Sequence, residues 1–482
     1  MLDKIRSKYV NLQAPVKASL WFLVCGFLQK GISMLTTPIF TRIMTDVEYG
    51  RFSIYNSWFG IVQIIVSLNL AGGVYTLGLV KNEKDQDRFS SSMLGLSTTC
   101  ILAWTVIYFL LHSAINDFLG LSTLLMTAML LDIWAHDAYY FWSNRERVNY
   151  RYKRLVCLTA AYVVLRPLFG VICVLNVNEQ HQAEARIIST VLVNLVLFSA
   201  LYFSVVGKGR QFFNKDYWIY GLKFNIPLVP HYLSQVLLNQ SDRLMINRIC
   251  GLSEAAYYSV AYTIAVVLQV LNYSISSTMN PWIYKSLKNK EYEKIGKISY
   301  YVLALIAVMN LAVIVCAPEL MKIMAPGSYQ AAIWVIPPVT VSVYFSFLYN
   351  LFATFEYYFE KTHYVAIASI CSAVINIVLN AIFIPIYGFV AAGYTTLLCY
   401  ILYAVTHYSF MKKTTENYLG NAKIYDVKII VALGGCLLLM AALSLILYKT
   451  VVIRYGILCL LVVFVLWKRK ELIGLAQTIR KR

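Results

Sequence analysis

Fourteen apolar runs of about twenty residues each, separated by short charged segments, restrict this chain more than any other feature. Runs of that length cross a bilayer as helices, whereas barrel strands need only about ten alternating residues. Lipid offers the backbone no hydrogen bonds, so a spanning segment must satisfy its own, as a helix does. The expected fold is an all-α polytopic membrane protein. Composition supports it: 59% hydrophobic and 13% charged residues in a chain of 482 leave too little polar material for a water-facing surface.

The expected spans are 19–40, 52–75, 91–112, 118–142, 155–175 and 187–206, then 217–246, 255–284, 298–317, 331–358, 364–386 and 389–410, then 427–448 and 451–467. An internal repeat explains this order of six, six and two. Arg42-Ile43, Glu48 and Phe52-Ser53 overlie Arg248-Ile249, Glu254 and Tyr258-Ser259 without a gap, 206 positions later. In both copies an Arg-Ile pair closes a helix and an aromatic-Ser pair opens the next. The expected domains are a six-helix lobe over 1–206, a second over 207–411, and two further helices with a basic tail over 412–482.

The net charge of +19 is distributed by side. Segments on the side of the N-terminus carry 31 Lys and Arg, and those opposite carry 8. The positive-inside rule therefore puts both termini in the cytoplasm and makes nucleic acid a poor partner. The basic start is followed by a long apolar run with no small-x-small exit, so it is expected to stay as the first helix rather than act as a cleaved signal. The ten cysteines lie in or beside apolar runs without metal spacing and read as packing residues. No P-loop, HExxH, GxSxG or CxxC occurs, and no outer loop exceeds roughly a dozen residues. Neither catalytic residues, nor a metal, nor a cofactor are expected; the chain does not read as an enzyme.

Ionisable groups within spans usually face a cavity or a partner. Lys30 lies about 20 Å along its helix from Lys17; it either snorkels to the outer interface or faces an anion site. Arg166, beside Pro167, is deeper, with a salt bridge and a cavity role both open. Asp132 and His136 are four residues apart on one helix face, with Asp137 one step round. Together they suit ion coupling, although His136 and Asp137 are near enough to Trp142 to reach headgroups instead. Asp242 and Arg243 read as a local charge network on the outer side, and Glu356 as interfacial beside Glu360 and Lys361. Pro38, Pro227 and Pro230 are candidate hinges, or ordinary kinks. Tyrosines such as Tyr257, Tyr262 and Tyr349 read mostly as packing and interface residues; a few would suit sugar stacking, but nothing in the sequence selects them.

The segment GISMLTTPIFTRIMTDVEYGRFSIYNSW, ending at Trp58, closely resembles the opening signature of polysaccharide flippases. These are the Wzx-type O-antigen and capsule-repeat transporters of the multidrug/oligosaccharidyl-lipid/polysaccharide superfamily. DRLMINRICGLSEAAYYSVAY, from Asp242 to Tyr262, is similar to that family's opening of the second half, and NAIFIPIYGFVAAGYTTLLCYI, from Asn380 to Ile401, to its later turn. The resemblance implies two lobes around a central cationic cavity. It also implies export of an undecaprenyl-diphosphate-linked oligosaccharide across a bacterial cytoplasmic membrane by alternating access, with a polymerase and a chain-length regulator as further partners besides membrane lipid. Lys30 and Arg166 would then meet the pyrophosphate. Two rivals stand beside this reading: a cation-coupled multidrug exporter of the same fold, and a membrane glycosyltransferase or polymerase. The deep cations count against the first and the short outer loops against the second.

Overall fold

The computed structural model describes the backbone of residues 14–420 and 424–480, with their side chains apart from those of residues 14–16, 30, 464, 465 and 469–480. The described residues form α-helices and short 3-10 turns and contain no strand. The chain divides into two compact units, Met1–Gln240 and Ser241–Arg482.

The first unit contains α1 (Ala14–Ile43), α2 (Asp46–Ser67), α3 (Gly73–Lys81), α4 (Gln86–Leu110), α5 (His112–Leu119), α6 (Thr123–Val148), α7 (Tyr152–Leu175), α8 (Gln182–Gly209) and α9 (Lys215–Asn225). Helix α10 (Val229–Ile249) carries the chain past the boundary. The second unit continues with α11 (Leu252–Lys288), α12 (Tyr292–Val315), α13 (Ala317–Met324), α14 (Ile336–Tyr358), α15 (Thr362–Tyr387), α16 (Ala391–Leu419), α17 (Val427–Leu447) and α18 (Val451–Arg480).

Each expected span falls on helix, but several differ in outline. Among the described residues ten helices are long and apolar enough to cross a membrane, or eleven if α5 and α6, bent by 91°, count as one span. The other expected spans, α2, the α9–α10 pair and α16, are helical but more polar. Helix α10 carries Gln235, Asn239, Gln240, Asp242 and Arg243 along its length.

The expected 52–75 span breaks after Ser67, where Leu68 and Asn69 adopt positive φ of 52° and 50°. A break frees carbonyls that lipid cannot satisfy. Two asparagines supply the missing donors: Asn225 Nδ2 donates to the Leu68 carbonyl, and Asn144 Nδ2 to that of Ala71 at 2.6 Å.

The α1–α2 turn, the core of the repeated signature, is held just as specifically. Thr45 caps α2 by accepting from Glu48 N at 3.3 Å. Gln182, the first residue of α8, accepts from Thr45 N and donates to the Ile43 carbonyl, both at 2.9 Å. The buried Glu48 carboxylate accepts from Ala183 N at 2.9 Å. Signature residues thus bind the start of α8 to the turn and fix where the α8 side chains enter the unit. At the far end of α8, Gly209 passes so close to α4 that an added Cβ would lie 2.2 Å from the Asp87 carbonyl oxygen.

Candidate functional site

Helices α1, α2, α6, α7 and α8 enclose a cavity of about 350 Å3 in the first unit. Arg166, Arg186 and His136 line it with Gln29, Asn56 and three tyrosines, Tyr139, Tyr140 and Tyr162. No carboxylate is on its described wall.

The acid lies one layer back. His136 Nδ1 is 3.0 Å from Asp132 Oδ1; a carboxylate only accepts, so this nitrogen carries the proton. Arg166 Nη2 lies 3.0 Å from His136 Nε2 and donates to its lone pair. Arg166 Nε donates to Asn194 Oδ1 at 2.5 Å, and Asn194 Nδ2 donates to Asp132 Oδ1 at 2.7 Å. Four side chains from α6, α7 and α8 therefore close a ring that passes from carboxylate to imidazole to guanidinium to amide and back. The guanidinium lies over Tyr162, 4.4 Å from its ring centroid, and 5.7 Å from that of Phe198. Of the two roles open for Arg166, the structure gives the cavity wall; its link to Asp132 runs through Asn194 and His136 rather than as a direct salt bridge.

His136 and Asp137 do not reach headgroups. The His136 side chain is only 14% exposed, and Asp137, buried on the neighbouring face, accepts from Ser97 Oγ. One turn of α6 thus sends His136 to the cavity and Asp137 to α4. Lys30 follows Gln29 on α1, but its side chain lies outside the described residues. Pro38 lies inside α1, Pro227 in a 3-10 turn at Ile226–Leu228, and Pro230 in the first turn of α10.

Arg186 was not singled out by sequence, which placed it in an outer loop. Helix α8 begins at Gln182, five residues before its apolar run, and carries Arg186 inward. There its guanidinium lies 3.6 Å from the Phe40 ring centroid and 3.5 Å from that of Phe52. The available signal was the acidic first turn containing Glu184, which marks a helix start.

Two polar clusters in the second unit also differ from expectation. Asp242 is fully buried rather than part of an outer charge network: Tyr258 Oη donates to its Oδ2 at 2.6 Å, Thr396 Oγ1 to the same oxygen at 2.7 Å, and Asn380 Nδ2 to Oδ1 at 2.6 Å. Arg243 turns instead to Ser259 Oγ at 3.2 Å and to the Tyr262 ring. Glu356 is fully buried, not interfacial, and its Oε1 accepts from His407 Nδ1 at 2.8 Å. Among the described residues, no three His, Cys, Asp or Glu side chains are placed to hold a metal ion together.

Comparison with known proteins gives this geometry a context. A family model described as polysaccharide biosynthesis protein matches residues 16–287. That is more than half of the sequence. The chain belongs to this family. A second model, MatE, matches residues 227–382. Protein 1 of the Lsg locus of Haemophilus influenzae is 21% identical over 372 residues, covering 75% of this chain and 89% of that protein. Among solved structures, the lipid II flippase MurJ in an inward closed conformation superposes with a TM-score of 0.68 at 12% identity, over 94% of this chain and 100% of that one. A MATE transporter from Vibrio cholerae, VcmN, gives a TM-score of 0.58 at 13% identity, over 84% of this chain and 97% of that one. The chain thus has the fold that the MurJ flippase and the MATE transporter share.

Proposed function

We propose that this protein flips an undecaprenyl-diphosphate-linked oligosaccharide repeat unit from the cytoplasmic to the outer leaflet of a bacterial cytoplasmic membrane, for O-antigen or capsule synthesis. The observation that carries the reading is the first unit's cavity, whose described wall has two guanidiniums, an imidazole and no carboxylate. Guanidinium forks match phosphate oxygens, and a diphosphate is the charged part of such a lipid. An exporter of organic cations needs the opposite wall, which disfavours that alternative. The family match to polysaccharide biosynthesis and the MurJ-like fold support the same substrate class.

Arg166 and Arg186 are the diphosphate contacts in this proposal, with Lys30 of α1 as a third. Asp132 and His136 sense the coupling ion through the ring that holds Arg166. Pro38, Pro227 and Pro230 serve as hinges in alternating access. Both termini are cytoplasmic, and the polymerase and chain-length regulator that use the product are partners. The test is the fate of lipid-linked repeat units in a strain deleted for this gene. Accumulation on the cytoplasmic leaflet with loss of surface glycan is expected. Accumulation on the outer leaflet would assign the step to a polymerase, and an unchanged pool with altered drug sensitivity would favour a cation exporter.

A further inference from the structure

One face of α11 is unlike a lipid-facing or packing surface. Gln269, Asn272, Tyr273, Ser276, Ser277 and Asn280 recur at three- and four-residue steps and share one side of the helix. Ser346 and Asn350 of α14 complete the wall of a cavity of about 300 Å3. All eight residues are uncharged amides, hydroxyls or a phenol. Polar side chains within a span face a cavity or a partner, because exposure to hydrocarbon is costly. This stripe extends about 16 Å along α11.

We infer that this cavity is a subsite for neutral sugar rings, an inference that rests on the lipid-linked oligosaccharide proposed above. Two of its amides are oriented by bonds made outside the cavity. Asn272 Nδ2 donates to the Val343 carbonyl at 3.0 Å, which leaves its Oδ1 as an acceptor for a ligand. Asn280 Oδ1 accepts from Thr354 Oγ1 at 3.2 Å, which leaves its Nδ2 as a donor. Gln269 and Ser276 make no hydrogen bond among the described residues, so both offer donors and acceptors. Tyr273 is 59% exposed and presents a ring face to the C–H side of a pyranose.

Fixed acceptors beside fixed donors suit the adjacent hydroxyls and N-acetyl groups of hexoses. The lack of a cation on the wall argues against uronic acids and sugar phosphates, whose charge would be buried unpaired. The volume is at the lower end for ligand sites, room for one or two rings rather than a whole repeat unit.

The test uses purified full-length protein in lipid nanodiscs with two probes, the lipid-linked oligosaccharide extracted from the source cells and undecaprenyl diphosphate carrying no sugar. Gln269→Leu combined with Ser276→Ala is expected to weaken binding of the first about tenfold while leaving the second within about twofold. Gln269→Glu preserves shape and removes two donors, so the same selective loss is expected from a variant with little reason to misfold. An equal loss on both probes, or none on either, overturns the subsite. A larger loss on the bare diphosphate from Gln269→Glu also overturns it, because the diphosphate would then occupy this cavity. Failure of the flippase reading itself looks different, since the unmodified protein would then bind neither probe.

Discussion

The ring of Asp132, His136, Arg166 and Asn194 has a consequence that depends on a single proton. His136 faces Asp132 through Nδ1 and Arg166 through Nε2, with the rings of Phe59, Tyr140 and Phe198 around it. Protonation of Nε2 would set two N–H groups against each other at 3.0 Å, and Arg166 would have to leave. Its guanidinium would then be released toward the cavity. The His136→Gln variant, which cannot make this switch, should therefore lose lipid-linked oligosaccharide transport several-fold, and transport equal to that of the native protein would remove His136 from coupling. Arg166→Ala should reduce surface glycan at least about tenfold while protein remains in the membrane. Arg166→Lys should fail to restore it, because an ammonium cannot hold Asn194 and His136 in one plane. Full glycan with Arg166→Lys would show that only charge matters at this position. The Asp132–His136 pair was legible from its four-residue spacing, as was the depth of Arg166. Asn194 was not, because its importance comes entirely from partners 28 and 62 residues away.

At the scale of elements, the same division holds. Apolar run length was enough to find the long helices, since hydrocarbon thickness and helix rise fix it, but not the short α3, α5 and α13. Polar residues that end or begin helices were read less well. The start of α8 was placed at Ile187 by its apolar pattern, which put Arg186 outside, whereas the capping partners of Gln182 are over 130 residues earlier in the chain. Glu48 was seen as one member of a repeated turn, but its acceptance from Ala183 N is a tertiary fact. Gln182→Ala removes both bonds to the α1–α2 turn and should cost about 1–3 kcal/mol, measured as a lower thermal midpoint in detergent. An unchanged midpoint would mean that the turn holds its shape without α8.

Outside the spans, Glu319 of α13 ties down α18. It accepts from Arg454 Nη1 at 2.6 Å and from Tyr455 Oη at 3.3 Å. Partial burial pushes its carboxyl up, but the bonds and the charge of Arg454 outweigh this and hold it below the ordinary range. A carboxylate with a depressed folded value contributes its full stability above its unfolded value, near 4.3, and loses it as pH falls through the folded one. The native protein should thus lose thermal stability below about pH 4.5, and Glu319→Gln should already be less stable at pH 7 and lose less on acidification. Parallel acid profiles for the two proteins would assign the loss to other carboxylates.

Over the whole molecule, the question is which polar helices cross. Among the described residues ten or eleven helices qualify by length and apolarity, yet the apolar runs of the sequence call for fourteen crossings. Arg186 and Arg454, counted on the outer side, are 8% and 3% exposed and lie inside their units, so still fewer basic groups face outward. Helix α2 decides the matter in the first unit. If α1 and the α2–α3 pair both cross, Lys84 is cytoplasmic, and the crossings by α4, α5–α6 and α7 then put Gln180 outside. If α2–α3 does not cross, every later segment of the unit changes side. Both positions are exposed, so each reports by cysteine substitution in a background without the ten native cysteines. With a membrane-impermeant maleimide on intact spheroplasts, Gln180→Cys should be labelled and Lys84→Cys protected until the membrane is opened. The reverse pattern would take α2–α3 out of the membrane or reverse the N-terminus. Labelling of both from outside would contradict three crossings between them. Since Asn225 and Asn144 satisfy carbonyls at the break after Ser67, α2–α3 can remain at membrane depth despite its interruption. The expected outcome is therefore crossing, with both termini cytoplasmic.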